Sequence, residues 1–265
     1  MRRTLAILAL GLVAIGAWML VYDRLRGYSS TRGTRVEHVT IHSRLLRRDL
    51  HEIVVTPAGA ARGRLLLVFL HGRSSSPASN LHQQFFDTLK ALGPRAPVVL
   101  LADGGDHSYW HDRRDGPWGS SLLREVIPDA VERSHTGQIA VGGISMGGFG
   151  ALDVARLAPR EFCAVGAHSA ALWFSGGETP AGAFDDAADF GRHDVIRAAR
   201  ERRLYRVPVW IDVGRDDPFF RADLALAHAL EAHGTNVSLH VHGGGHGGWS
   251  GRMAQYLRFY VGACA

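Results

Sequence analysis

Apolar runs of strand length alternate with longer segments of helical periodicity along most of this 265-residue chain. Eight runs rich in aliphatic and β-branched residues predict strands at residues 36–42, 51–56, 65–71, 98–103, 139–144, 163–168, 207–213 and 237–241. Six further segments predict helices at residues 80–92, 121–133, 147–157, 195–203, 220–233 and 251–261. This α/β alternation is typical of a mostly parallel sheet that is covered by helices on both faces. The first two strands leave no room for a crossover helix, so we expect an antiparallel hairpin at one edge.

The net charge of +5 comes from the N-terminal end of the sequence. Residues 1–48 hold nine arginines against Asp23 and Glu37, whereas the rest of the chain has 21 basic and 23 acidic residues. Nucleic-acid binding would need a basic surface on the folded body. We therefore expect no nucleic-acid partner.

An uncharged apolar segment of 19 residues runs from Thr4 to Tyr22, with arginines on both sides. As a helix it would span roughly 28 Å, close to the ~30 Å hydrocarbon core of a bilayer. We expect a hydrophobic helix that serves as a signal-anchor and leaves the body facing the periplasmic or extracellular side. Cleavage after the sequence Ala-Ile-Gly at residues 14–16 is the alternative, and it would release a secreted protein.

The chain has two cysteines, Cys163 and Cys264. Because Cys163 lies in an apolar run, we expect a small buried residue rather than half of a disulfide, although an exported location would permit one.

A candidate nucleophile lies in the sequence Gly-Ile-Ser-Met-Gly at residues 143–147, between a predicted strand and a predicted helix. This is the context in which the G-x-S-x-G pattern carries a reactive serine. The glycines leave room for a tight turn that forces Ser145 into a strained backbone conformation. The hydroxyl would then be exposed at the carboxyl end of the sheet, where open α/β sheets bind their ligands. We therefore predict that Ser145 is a catalytic nucleophile.

An acid and a base for this serine follow later in the chain, in the order Ser, Asp, His. Asp217 lies in the loop after the seventh predicted strand, and we expect its carboxylate to orient the base. Asp216 is the alternative acid in the same loop. His246 lies in a glycine-rich loop after the last strand, and the glycines would let its imidazole reach Ser145. His242 is the alternative base.

Two backbone N–H groups are expected to form an oxyanion hole. Met146, directly after the nucleophile, supplies one, and Arg73, in the loop after the third predicted strand, supplies the other. His71 begins the same loop, and we expect it to form structural hydrogen bonds there rather than to act in catalysis.

Three segments resemble the putative-esterase family of the α/β-hydrolase fold. They read His-Gly-Arg at residues 71–73, Asp-Gly-Gly-Asp-His-Ser-Tyr-Trp at 103–110 and Gly-Ile-Ser-Met-Gly-Gly-Phe-Gly-Ala at 143–151. That family includes esterase D-type S-formylglutathione hydrolases, feruloyl esterases and the mycobacterial antigen 85 acyltransferases. The resemblance covers roughly residues 49–262. Together with the apolar segment, it divides the chain into a signal-anchor or signal peptide at residues 1–24, an Arg-rich linker and first edge strand at 25–48, and an eight-stranded α/β-hydrolase catalytic domain at 49–265.

The resemblance implies a serine esterase that cleaves a small-molecule carboxylic ester through an acyl-enzyme. It also implies that the loop at residues 104–118 lines the substrate cleft, which makes Tyr109 and Trp110 candidate substrate contacts; packing of the loop is the alternative. Trp249, which follows the His246 loop, is a third candidate contact. The bulky side chains of the 104–118 loop and the lack of room for a large lid predict short or compact acyl groups, although residues 175–189 could form a flap.

Other functions use similar residues. An acyltransferase or a peptidase can employ the same triad, and a membrane-anchored scaffold without turnover is the non-enzymatic alternative. The aspartate acid, in place of the glutamate of antigen 85 proteins, argues against mycolyl transfer. The imidazoles of His240, His242 and His246 have no further ligand in sequence, so no metal site is expected. The sequence contains no cofactor motif, and it indicates no oligomeric state.

Overall fold

The computed structural model describes residues 27–59 and 63–265. Its strands are β1 (Arg35–Ser43), β2 (Arg48–Thr56), β3 (Leu66–Leu70), β4 (Val98–Ala102), β5 (Asp112–Arg113), β6 (Gly116–Pro117), β7 (Ile139–Ile144), β8 (Ala164–His168), β9 (Val209–Gly214) and β10 (Val237–His242). Its helices are α1 (Gln83–Leu92), α2 (Trp118–Ser121), α3 (Ile127–Ser134), α4 (Met146–Leu157), α5 (Ala187–His193), α6 (Val195–Glu201), α7 (Phe220–Ala232) and α8 (Trp249–Ala263). The π-helical turn Leu122–Val126 joins α2 to α3, and short 3₁₀ turns lie at Pro77–Asn80, Gly93–Arg95 and Gly176–Glu178.

Eight strands form one sheet in the order β1-β2-β4-β3-β7-β8-β9-β10, and β5 and β6 form a separate small hairpin. β2 runs antiparallel to β1 and to β4, whereas the remaining neighbours are parallel. The predicted α/β-hydrolase architecture is therefore confirmed, including the antiparallel hairpin at the edge.

The sheet separates two hydrophobic cores because successive side chains of a strand point to opposite faces. Within β3, Val68 packs in one core with Leu152 of α4 and Leu226 of α7. Its neighbour Phe69 packs in the other core with Phe85 of α1. Strands that are buried on both faces need apolar residues at every position, which explains the continuous aliphatic runs in the sequence.

The expected N-terminal membrane helix at residues 4–22 lies outside the described residues. Among residues 27–59 and 63–265, no helix is both long enough and apolar enough to cross a bilayer.

The expectation that Cys163 is an unpaired buried residue is wrong. Cys163 and Cys264 form a disulfide between chain positions 101 residues apart. The bond joins the residue just before β8 to the residue just after α8, and it therefore fastens the C-terminal helix to the central sheet. No local sequence pattern indicates this contact, because it depends on how α8 packs against the sheet.

Candidate active site

Ser145 lies at the sharp turn between β7 and α4. Its φ of +56° is in a region that residues other than glycine rarely adopt. A Cβ on Gly143 would lie 2.5 Å from the backbone of Gly147, and one on Gly147 would lie 2.1 Å from the carbonyl oxygen of Leu70. Both glycines are therefore required by packing. The Ser145 N–H donates to the His168 carbonyl at 3.0 Å, which helps to hold the strained residue in place.

The structure brings Ser145, His246 and Asp217 together in one hydrogen-bonded line. His246 Nε2 lies 2.9 Å from Ser145 Oγ, and His246 Nδ1 lies 2.9 Å from Asp217 Oδ2. The His246 imidazole packs in T-shaped contacts with the rings of Phe219 and Trp249, at ring-centroid distances of 5.2 and 5.1 Å. This arrangement can move a proton from the serine hydroxyl to the imidazole while the carboxylate fixes the imidazole tautomer.

Asp217 is held as an anion at this position. Its side chain is buried, and burial alone would raise the pKa of its carboxyl. Hydrogen bonds from His246 and from the Phe219 N–H at 2.9 Å outweigh burial and leave this pKa below its ordinary value. The carboxylate is therefore charged throughout the neutral range, as a partner for an imidazolium must be.

The alternative acid and base lie elsewhere. Asp216 is exposed, and its backbone N–H donates to the Gly244 carbonyl. His242 directs Nδ1 to the Gly243 carbonyl, and its Nε2 lies 3.8 Å from Asp212. Neither side chain is hydrogen-bonded to the serine or to His246.

Asp212 points away from the serine into a buried polar network behind the site. It accepts hydrogen bonds from Trp210 Nε1 and the Tyr256 hydroxyl, both at 2.8 Å, and it pairs with His168. The other imidazole nitrogen of His168 lies 2.9 Å from the Tyr260 hydroxyl. This network links β8, β9 and α8 directly beneath the loops that carry the acid and the base.

His71 orients the loop that precedes Arg73. Its Nδ1 lies 2.8 Å from the Gly72 carbonyl, and its Nε2 accepts the Gly104 N–H at 3.1 Å. The expected structural role is confirmed. Because a trans peptide directs its C=O and N–H in opposite directions, holding the Gly72 carbonyl turns the Arg73 N–H away from His71. Met146 is the first residue of α4, and N–H groups in the first helical turn have no partner within the helix.

A cleft of about 380 Å³ opens beside the serine, and both Arg73 and Trp249 line it. The rest of its wall mixes polar and apolar side chains and comes mainly from the segment around the first 3₁₀ turn and the start of α8. These lining residues are Gly72, Ser75, Ser79, Asn80, His82, Ile144, Gly248, Ser250 and Met253. Sequence reasoning missed the contribution of residues 75–82. No motif marks them, and only their position just after the Arg73 loop could have suggested it.

For Trp110 and for the ring of Tyr109, the structure favours the packing alternative. Trp110 is 1% exposed, and its indole fits against Gly104 and Gly150, where an added Cβ would lie 2.5 Å from it. Tyr109 is 3% exposed and packs among other aromatic rings. Neither residue lines the cleft, and neither do residues 175–189.

The fold and the hydrogen-bonded serine, histidine and aspartate define a serine hydrolase of the α/β-hydrolase class. The family model described as "Putative esterase" matches residues 46–248. The chain belongs to this family and is a carboxylic ester hydrolase.

Solved structures of similar fold are esterases and related hydrolases. A ferulic acid esterase superposes with a TM-score of 0.74 at 21% identity, over 88% of this chain and 99% of that one. An S-formylglutathione hydrolase from Agrobacterium tumefaciens gives a TM-score of 0.75 at 16% identity, over 89% and 98% of the two chains. The fluorophosphonate-binding serine hydrolase FphF from Staphylococcus aureus gives 0.67 at 15% identity, over 86% and 98%. A search of curated proteins finds no significant match.

Proposed function

We propose that this esterase works through a triad of Ser145, His246 and Asp217 and a covalent acyl-enzyme. The observation that carries the proposal is the pair of 2.9 Å contacts that join the serine to the imidazole and the imidazole to the carboxylate. His246 Nε2 takes the proton of Ser145 Oγ as the oxygen attacks the ester carbonyl. The protonated imidazole then gives that proton to the leaving alkoxide, and an alcohol departs. Water attacks the acyl-enzyme in the same way and releases the carboxylic acid.

We assign the stabilisation of the developing oxyanion to hydrogen bonds from the backbone N–H groups of Arg73 and Met146. Support comes from the fixed Gly72 carbonyl, which turns one N–H away from His71, and from the position of Met146 at the start of a helix. Donors of this kind act in proportion to the charge that develops in the transition state.

Replacing the nucleophile tests the triad. Ser145→Ala should lower kcat/KM for p-nitrophenyl butyrate by about 10⁴- to 10⁶-fold, as the loss of a nucleophile does in other serine hydrolases. Ser238→Ala, on the edge strand β10, should retain wild-type activity. Undiminished hydrolysis by the Ser145→Ala variant would overturn the proposal.

For the substrate, we propose esters with short or compact acyl groups. The cleft volume of about 380 Å³ supports this choice. A long apolar tunnel would add up to about 0.8 kcal/mol for each buried methylene, so specificity would rise steeply with chain length. We expect kcat/KM on p-nitrophenyl esters to peak between acetate and butyrate, and a maximum at dodecanoate would contradict this assignment.

For the location, we propose that the catalytic body lies on the far side of the cytoplasmic membrane and is held there by residues 4–22. The apolar segment with flanking arginines supports this, and so does the disulfide, since such bonds persist in oxidising compartments. Deleting residues 1–30 should give soluble, active protein. Recovery of the full chain from the soluble cytosol with its N-terminus intact would contradict the proposal.

A further inference from the structure

A second polar cluster lies apart from the serine, where the loop before β5 meets α5. His111 Nε2 is 3.1 Å from Asp189 Oδ2, and His193 Nε2 is 3.7 Å from Asp189 Oδ1. One ligand atom from each residue lies within 4.8 Å of the other two, and all three residues are buried. Phe184 stacks on His111 at a ring distance of 4.9 Å, so one side of the cluster is apolar.

The hydrogen bonds of His193 suit a metal ligand. His193 Nδ1 lies 2.7 Å from the buried carboxylate of Asp153 on α4, which fixes the proton on Nδ1 and leaves the Nε2 lone pair facing Asp189. A carboxylate behind a ligating histidine is the common outer-shell arrangement at zinc sites. His111 Nε2 lies within hydrogen-bond distance of Asp189 Oδ2, and because a carboxylate only accepts, metal binding at this nitrogen would move its proton to Nδ1. Nδ1 has no hydrogen-bond partner among the described residues.

We propose that His111, Asp189 and His193 bind a divalent transition metal, with zinc as the ion that two imidazoles and one carboxylate favour. Ligand atoms at about 2.0–2.1 Å from a tetrahedral metal lie about 3.3 Å apart. The spacings of 3.1 and 3.7 Å run to the two different oxygens of Asp189, so binding of one ion would draw the imidazoles and this carboxylate closer together. Arg192 donates to Asp189 Oδ1 at 3.0 Å, but its side chain is 63% exposed and free to leave that oxygen to the metal. A water molecule completes the coordination.

Such an ion would have a structural role. It would fasten α5 to the loop that carries Tyr109 and Trp110 and, through His193 and Asp153, to the helix that begins after Ser145. The three ligands come from two segments of the chain, and His111 and Asp189 are 78 residues apart, so no short sequence motif indicates the site.

The test measures zinc binding in the whole protein after treatment with a chelator. We expect wild type to bind about one zinc ion per chain by calorimetry and elemental analysis. We also expect its Tm to rise with the logarithm of free zinc concentration, as a ligand specific for the folded state requires. The chain has 15 histidines, so variants must separate this site from surface binding. Asp189→Asn and His193→Gln should lose both effects, whereas the control His240→Gln should keep them.

Asp189 and His193 are buried, so X-ray absorption of the zinc-loaded wild type gives a measurement that does not depend on the folding of their variants. It should show nitrogen and oxygen neighbours at about 2.0–2.1 Å, with the scattering of two imidazoles. Failure of wild type to bind zinc stoichiometrically would overturn the proposal. So would stoichiometric binding that persists in folded His193→Gln, or a spectrum without two imidazoles.

Discussion

Asp216 and Asp217 are adjacent in sequence, yet only Asp217 meets the imidazole. The turn after β9 explains the difference. The Asp217 N–H donates a hydrogen bond to the Gly214 carbonyl within the turn, whereas the Asp216 N–H donates to the Gly244 carbonyl of the next loop. One carboxylate is thereby directed inward and buried, and the other is left in solvent.

This pair of neighbours allows a matched comparison. Asp217→Asn should lower kcat by about 10⁴-fold, because an amide at this position favours the wrong imidazole tautomer. Asp216→Asn should change kcat by less than about twofold, since exposed substitutions away from a site have small effects. Steady-state kinetics on p-nitrophenyl butyrate provides the measurement. Equal losses in the two variants would rule out Asp217 as the single acid.

A further buried carboxyl lies near the triad. Asp223 on α7 is fully buried, and although the Ala170 N–H interacts weakly with it, neither carboxyl oxygen accepts a hydrogen bond of ordinary geometry from the described residues. Burial raises the pKa of this carboxyl well above its ordinary value, and the nearby charges of Asp217 and Asp212 raise it further. In the unfolded chain the pKa of the same carboxyl is about 3.9.

The raised pKa of Asp223 predicts a pH-dependent loss of stability. Above about pH 3.9 the unfolded chain releases this proton while the folded chain keeps it, so stability falls as pH rises until the folded-state pKa is passed. Asp223→Asn removes this contribution. The Tm of the variant should therefore fall less than that of wild type between pH 5 and pH 8, by calorimetry at matched ionic strength. Parallel Tm profiles would contradict this account of Asp223.

At the scale of elements, Tyr260 explains two glycines in the middle of the sheet. Its hydroxyl, which bonds to His168, lies against β7 and β8 where they carry Gly142 and Gly166. A Cβ at these positions would lie 1.7 and 1.8 Å from that oxygen. The glycines therefore let α8 approach the sheet closely enough to complete the polar network.

Gly166→Ala should lower the free energy of unfolding by about 1–3 kcal/mol or more, because the methyl group overpacks a rigid core. Gly262→Ala, in α8 with open space around its Cβ, should be neutral or stabilising. Urea denaturation of both variants measures the difference. If Gly166→Ala were as stable as wild type, the close approach of α8 would be contradicted.

The sequence predicted those elements and residues whose structure is determined by their immediate neighbours in the chain. Inner strands such as β3 and β4 are continuous aliphatic runs because they are buried on both faces. Ser145 was found because its turn demands glycines at fixed positions. The direction of Tyr109 and Trp110 could not be predicted, because an irregular loop has no periodicity that separates inside from outside. The Cys163–Cys264 bond and the His111–Asp189 pair could not be predicted either, since each depends on the packing of distant segments.

At the scale of the whole molecule, the disulfide closes a loop that contains much of the catalytic machinery. Its two ends are 101 residues apart, and Asp217 and His246 lie between them. A crosslink across so long a loop restricts the unfolded chain more strongly than a short one does.

Loss of the Cys163–Cys264 bond should lower the free energy of unfolding by about 2–4 kcal/mol, in reducing agent or in Cys264→Ser. The measurement is urea denaturation of wild type with and without the reductant. The reductant should have no further effect on Cys264→Ser. An unchanged midpoint for reduced wild type would show that the bond does not stabilise the fold.

The proposed mechanism depends on the reactivity of Ser145 Oγ, and covalent labelling tests that reactivity most directly. A fluorophosphonate should react once per chain, with loss of fluoride and formation of a phosphorus–oxygen bond to Ser145 Oγ. Mass spectrometry of the digested protein should place the whole adduct on the peptide that contains Ser145, and Ser145→Ala should remain unlabelled. An adduct on a different residue, or labelling of Ser145→Ala at the wild-type rate, would contradict the proposed nucleophile.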